Sequence, residues 1–254
     1  MKKDLFLIFI FISALQICEA QTLSEMSTEG NKHLPQIYSN FITIERTSFR
    51  NNVFSFYFTI ELGSAYNFTN FHNHPSLSKE YAKLWTISMY KADPYMFNRM
   101  IDKKVSEAIC VYDKSHNLNV TFTLTPDDLK SMINKYYKMN DNLISLKMQE
   151  VSTKCQVPIN IDFCTTLVDA NLTSTYFEYK YEINDSKLDF NLIKTKGFKD
   201  SMINNINKMP KALLETIVAI SKTNRSLKLT YTGQYSKDSY SFYITSQELK
   251  EALK

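Results

Sequence analysis

The feature that most restricts how this chain can fold is an internal repeat. Residues 108–133 align without a gap on 228–253, at an offset of 120 positions. Ile109 and Val111 fall on Leu229 and Tyr231, and Val120, Phe122 and Leu124 on Tyr240, Phe242 and Ile244. Thr125, Leu129 and Lys130 fall on Thr245, Leu249 and Lys250. Upstream the offset becomes 123. Pro35, Thr43 and Ile44 meet Pro158, Thr166 and Leu167, and Phe54, Phe56, Phe58 and Ile60 meet Phe177, Tyr179, Tyr181 and Ile183. Identities are few, but the matches keep one order along both stretches, so the chain reads as one unit present twice.

Each element of the unit has a physical reading. Phe177 to Ile183 alternates apolar and charged residues, and successive strand side chains point to opposite faces, so this strand buries one face and wets the other. Val53 to Leu62 repeats the pattern. Residues 107–113 with 118–124, and 226–232 with 239–245, alternate likewise across short polar links and predict hairpins. Between the hairpins of the second unit, Met202, Ile206, Met209, Leu213, Ile217 and Ile220 recur at three- and four-residue steps. They form one helix face, which Pro210 should kink or split. The first unit has its counterpart at 78–104, interrupted at Pro94. Thr245-x-x-Glu248 is a capping box, and Thr125-Pro126-Asp127-Asp128 starts a helix in the same place of the first copy. The expected fold class is therefore α+β, a tandem duplication of an antiparallel β-β-α-β-β-α unit.

The N-terminus carries a different signal. Met1-Lys2-Lys3 precedes an apolar run from Leu5 to Leu15 and a small-x-small site at Cys18-Glu19-Ala20, the pattern of a secretory signal peptide. The predicted mature chain begins at Gln21. A lipoprotein signal also ends in a cysteine, but wants Gly, Ala or Ser before it, and Ile17 stands there, so cleavage after Ala20 is favoured over a lipid anchor at Cys18. The apolar run is shorter than the roughly 20 residues that span a bilayer, and no later segment is longer, so no transmembrane segment is expected. The chain then divides into a signal peptide (1–20), a flexible segment (21–30), a first unit (31–138), a linker (139–154) and a second unit (155–254).

Composition excludes several functions. With four glycines the chain has no GxGxxG, phosphate-cradling loop or GxSxG elbow, which removes the common routes to nucleotide binding. The net charge of +4 is mild and its lysines are scattered, so no nucleic-acid partner is expected. Cys110, Cys155 and Cys164 remain after cleavage, an odd number in an oxidising compartment, spaced as neither a zinc knuckle nor a CxxC pair. Sequons at Asn67, Asn119, Asn171, Asn184 and Asn224 are of a kind that an Asn- and Thr-rich chain acquires by chance.

A resemblance emerges from the second copy. Pro158, Asp162 and Thr166 precede the alternating Tyr179 and Tyr181, a helix, the Leu229-x-Tyr231 strand and the closing Ile244-Thr245-x-x-Glu248-Leu249. This order resembles small exported bacterial proteins of unassigned function. The resemblance implies fold and compartment and carries no activity.

Two candidate sites stand out. Phe71-His72-Asn73-His74-Pro75 offers two imidazoles to a zinc or copper ion, with His33, Glu61, Glu80 or His116 as possible further ligands. The second copy lacks these histidines, and the bland alternative is a polar connector before a helix capped by Ser76 or Ser78. The other candidate is an interaction surface: Tyr57, Tyr112 and Tyr243 lie on the polar side of their strands, where Tyr suits a protein or extended ligand. Asp127, Asp128 and Glu248 are accounted for by capping, and Cys110, which looks outward beside Tyr112, has no linear sign of a catalytic partner. No catalytic residue is assigned. The expected function is a non-enzymatic binding module of the cell envelope or exterior. The alternative is a metal-binding protein or metal-dependent hydrolase using His72 and His74.

Overall fold

The computed structural model describes residues 22–39, 42–60, 68–113, 117–209 and 211–254. The signal segment, Cys18, the expected mature start at Gln21, the candidate ligands Glu61 and His116, and the sequon Asn67 lie outside these residues. The chain divides into two compact units between Lys138 and Met139.

The first unit opens with helix α1 (Leu23–Asn31), then strands β1 (Gln36–Ser39), β2 (Ile42–Arg50) and β3 (Val53–Ile60). A 3-10 turn (Phe68–Asn73) leads into α2 (Pro75–Ala92) and α3 (Pro94–Asp102). Strands β4 (Ser106–Tyr112) and β5 (Leu118–Leu124) and helix α4 (Pro126–Tyr136) close the unit. The five strands form one sheet in sequence order. Asn51 and Asn52 both take positive φ in the two-residue β2–β3 turn, a conformation that Asn tolerates and that matches the twist of a hairpin. On one sheet face Phe54, Phe56, Phe58, Ile109, Phe122 and Leu124 meet the helices, with Phe58 5.0 Å from Trp85 of α2 and Phe56 6.1 Å from Phe97 of α3 between ring centroids. Each such ring, fully withdrawn from water, contributes about 2–3 kcal/mol.

The second unit repeats this plan with α5 (Asp141–Gln156), β6 (Ile159–Asn160), β7 (Thr165–Leu172) and β8 (Tyr176–Ile183). After a 3-10 turn (Phe190–Leu192) come α6 (Lys196–Asn204), a second 3-10 turn (Ile206–Lys208) and α7 (Lys211–Lys222). Strands β9 (Ser226–Gly233) and β10 (Ser239–Ile244) and helix α8 (Ser246–Ala252) follow. The core gathers Phe177, Tyr179, Leu229, Phe242 and Ile244 from the sheet with Leu146, Ile206, Ile217, Ile220 and Leu249 from the helical layer.

The α+β class and the two similar units stand, with helices broken next to Pro94 and Pro210 as expected. Three expectations need correction. The hairpins are antiparallel, but β3 pairs with β4 and β8 with β9 in parallel, so both sheets are mixed. The physical reason is the helical crossover between those strands, which returns the chain to the same end of the sheet. Of the segment 21–30, expected to be flexible, residues 23–30 lie in α1, started by a capping box in which Thr22 and Glu25 satisfy each other's backbone N–H. The linker 139–154 lies largely in α5, which packs on α7 and β7. Its buried side includes Glu150, Ser152, Thr153 and Gln156, so polar residues blur the apolar period that would have revealed it. Each unit is therefore α-β-β-β-α-α-β-β-α.

Residue-level agreement between the units supports the duplication beyond the shared order of elements. Pro35 and Pro158 both follow cis peptide bonds. The sheet register shifts at Glu45, between Ile44 and Arg46, and at Val168, between Leu167 and Asp169. Lys104 and Asn224 both take positive φ, 55° and 54°, between the last crossover helix and the next strand. The capping carboxylate of the closing helix pairs with a lysine of the first crossover helix in both: Asp128 with Lys79 at 3.0 Å, and Glu248 with Lys199 at 2.7 Å.

Candidate functional site

Among the described residues the helices of each unit pack on one face of its sheet, because only that face carries the large apolar side chains. Among the described residues no helix of the same unit packs on the opposite, open face. In the first unit it bears a row of planar groups across three strands. The bulge at Glu45 turns Arg46 onto the open face, where its guanidinium lies 3.5 Å above the centroid of the Tyr57 ring. Tyr57 stacks in turn with Tyr112 of β4, at 6.2 Å and 25° between planes, and its hydroxyl meets Ser48 Oγ at 3.2 Å. Glu45, Arg46, Tyr57 and Tyr112 line a shallow concavity of about 360 Å³. Beside it Cys110 is a buried free thiol, its pKa pushed up by burial against the opposing pull of Thr121 and Arg46.

The open face of the second unit is held by ion pairs. Lys180 meets Asp169 at 3.1 Å, and Asn171 also donates to Asp169 at 2.9 Å. Lys228 meets Glu178 at 2.8 Å, Thr230 donates to the same carboxylate at 2.7 Å, and Thr230 reaches Ser241 at 2.8 Å. Burial works against the Glu178 carboxylate, but hydrogen bonds from Lys228 and Thr230 outweigh it and hold its pKa below the usual range. The same bond raises Lys228. The Lys228 ammonium also lies 5.2 Å and 5.9 Å from the ring centroids of Tyr176 and Tyr243, which meet edge to face. Glu178, expected on a wet strand face, is thus covered by its own neighbours, while Tyr243 remains 45% exposed.

The structure places the other sequence candidates as follows. His72 lies in the last turn of the 3-10 segment, one residue before its end at Asn73, and His74 is the residue preceding α2, both exposed. Neither Ser76 nor Ser78 caps that helix. His74 occupies the cap without a side-chain hydrogen bond, and Pro75 at the first helical position requires no N–H partner. No group of three or more His, Cys, Asp or Glu side chains that could hold a metal forms among the described residues. His33 is exposed at the end of α1, and Glu80 is engaged by Lys135 and Tyr136. The three later cysteines are all free and buried. Cys164 is accounted for by a turn in which Asp162 accepts from the backbone N–H of Cys164 and Thr165, each at 2.8 Å.

Tyr57, Tyr112 and Tyr243 do lie on the open faces, as the strand alternation predicts. Arg46 escaped the sequence reading because a bulge sets its direction. A usable signal was present in the repeat, which aligns Arg46 with Asp169 and Tyr57 with Lys180. Glu107 escaped too. It interrupts the apolar face of β4 where the second copy has Leu227, and is fully buried.

No protein-family model matches the chain. No curated protein matches it either. Among solved structures the chain is similar to the pilotin of the type 2 secretion system of Vibrio vulnificus, at 15% identity and a TM-score of 0.31, over 47% of this chain and 96% of that one.

Proposed function

We propose that this is an exported, non-enzymatic binding protein of the cell envelope or exterior, which takes a protein or other extended ligand on the open faces of its sheets. One observation carries the reading. In each unit the helices cover one sheet face and leave the other broad, polar and aromatic, with side chains pre-set by stacking and ion pairs. Preorganised Tyr, Arg and Lys side chains lose little conformational freedom when a partner arrives, so such a surface binds at low entropic cost. The basic start, apolar run and Cys18-x-Ala20 site support export. No helix among the described residues is long and apolar enough to cross a membrane.

The test is site-specific photo-crosslinking in the native host. A cross-linking residue at the exposed open-face positions Thr121 and Ser241 should trap one recurring partner, and at Lys130 and Lys250 on the helical side should not. Tyr243→Ala should weaken the capture. Trapping from the helical side alone would place the partner elsewhere. Turnover of a substrate, abolished by changing one polar residue, would make the protein an enzyme instead.

A further inference from the structure

The first-unit concavity differs from its counterpart in the second unit in a way that points to a ligand. At corresponding positions the second unit carries a complete ion pair, Asp169 with Lys180. In the first unit those positions hold Arg46 and Tyr57, so the charge at the bulge is reversed and its internal counter-ion is gone. Arg46 makes no salt bridge and no hydrogen bond through its guanidinium among the described residues, and its one fixed contact is with the face of Tyr57. Stacking occupies the face of a guanidinium and leaves its in-plane N–H donors available, in the forked geometry that matches a carboxylate. A cation fixed at the mouth of a concavity with its donors unspent is half of a recognition pair.

The other lining residues narrow the missing half. Glu45 is an acceptor that repels a bare anion but takes hydrogen bonds from hydroxyl groups. Tyr57 and Tyr112 add two hydroxyls and ring surfaces whose negative faces attract polarised C–H groups. A ligand that uses all four residues has a carboxylate, several hydroxyls and a C–H face. That is a sugar acid. The concavity, about 360 Å³, is at the small end of ligand-site sizes and has room for one such ring. Resting on the binding reading above, we infer that Glu45, Arg46, Tyr57 and Tyr112 form a subsite for a uronic-acid residue, free or within an acidic glycan, with Arg46 holding the carboxylate.

Calorimetric titration of the full chain with glucuronate and galacturonate tests this, with glucose and acetate as controls. A uronate should bind at least about tenfold more tightly than either control, because each control lacks one of the two recognition elements. Arg46→Ala should weaken uronate binding by roughly 10- to 100-fold, the usual loss for a charge-assisted hydrogen bond. Arg46→Lys, which keeps the charge and loses the fork, should also weaken it and guards against a folding defect. Lys130→Ala, exposed on the helical side of the first unit, should leave uronate binding unchanged. Equal binding of uronate by the wild type and Arg46→Ala, binding no tighter than acetate, or no binding of uronate either free or within an acidic oligosaccharide would overturn the subsite. A pectic or other acidic oligosaccharide that binds where the monosaccharides do not would locate the ligand within a glycan and support it. Consumption of a bound uronate would refute the non-enzymatic reading and leave the subsite standing.

Discussion

Glu107 occupies a place in β4 where the second copy has Leu227, and its carboxyl lies in the core of the first unit. One oxygen accepts from Thr86 Oγ1 at 2.8 Å, and the other has no partner. Burial, only partly offset by the Thr86 bond, pushes its pKa up to about 8. The folded protein therefore keeps Glu107 protonated through a range in which the unfolded chain, titrating near 4.5, has already ionised. The sign follows: this contribution is fully present below about pH 4.5, declines as pH rises, and is gone above about 8. By pH 7 the loss is roughly 3 kcal/mol. Glu107→Gln should flatten the stability of the first unit between pH 5 and 8, measured by urea unfolding at each pH. Glu107→Leu, which installs the residue of the second copy, should raise stability at pH 7 by about 1–3 kcal/mol if the core accommodates its shape. A steeper pH dependence in either variant would show that another group governs it.

Helix starts were the most legible elements. Thr125 and Thr245 form the capping boxes that their spacing predicts, each accepting from the backbone N–H of the residue three positions on at 3.2 Å. Thr245→Ala should destabilise the second unit by about 1 kcal/mol, and Thr125→Ala the first by a similar amount, as shifts in denaturant midpoint. The Asp128 carboxylate opposes its own burial through Lys79, Thr125 and Lys83, which together hold its pKa well below the usual range. Asp128→Asn should therefore cost more than loss of the cap alone. Helix α5 was illegible for the reason its burial reveals. Glu150 is buried yet paired with Lys147 at 2.5 Å and Lys154 at 2.9 Å, so a charged residue occupies the side that an apolar period would mark. The His72 turn remains a polar entry to α2, and since no cluster of ligands forms around it among the described residues, a metal there must draw its remaining ligands from outside them. Elemental analysis of untagged protein checks it: about one equivalent of zinc or copper, lost in His72→Ala with His74→Ala, is the outcome a metal site requires.

At the scale of the whole molecule, the unit that repeats is longer than the strands and crossover helices alone suggest, because each sheet needs its leading helix. Leu146 of α5 belongs to the same buried cluster as Ile217 and Leu229. A fragment spanning 139–254 should unfold cooperatively, as a domain with its own core does. A fragment spanning 157–254, which lacks α5, should lose the sharp transition, since it exposes the core side of β7 and α7. Equal cooperativity of the two fragments, followed by circular dichroism during thermal unfolding, would return α5 to the status of a linker.

The order of residues alone determined the duplication, the strand faces, the proline breaks and the caps of the closing helices, since each depends on near neighbours and on a period of two or 3.6. Whether Glu107 was core or surface, whether 139–154 was helix or linker, and where Arg46 points were decided only by tertiary structure. The burial of Glu107 is set by the crossover helix laid over β4, the fold of α5 by the sheet it covers, and the direction of Arg46 by one unpaired residue at a bulge. A bulge reverses the face of every residue after it, and nothing in the local alternation of β2 announces it.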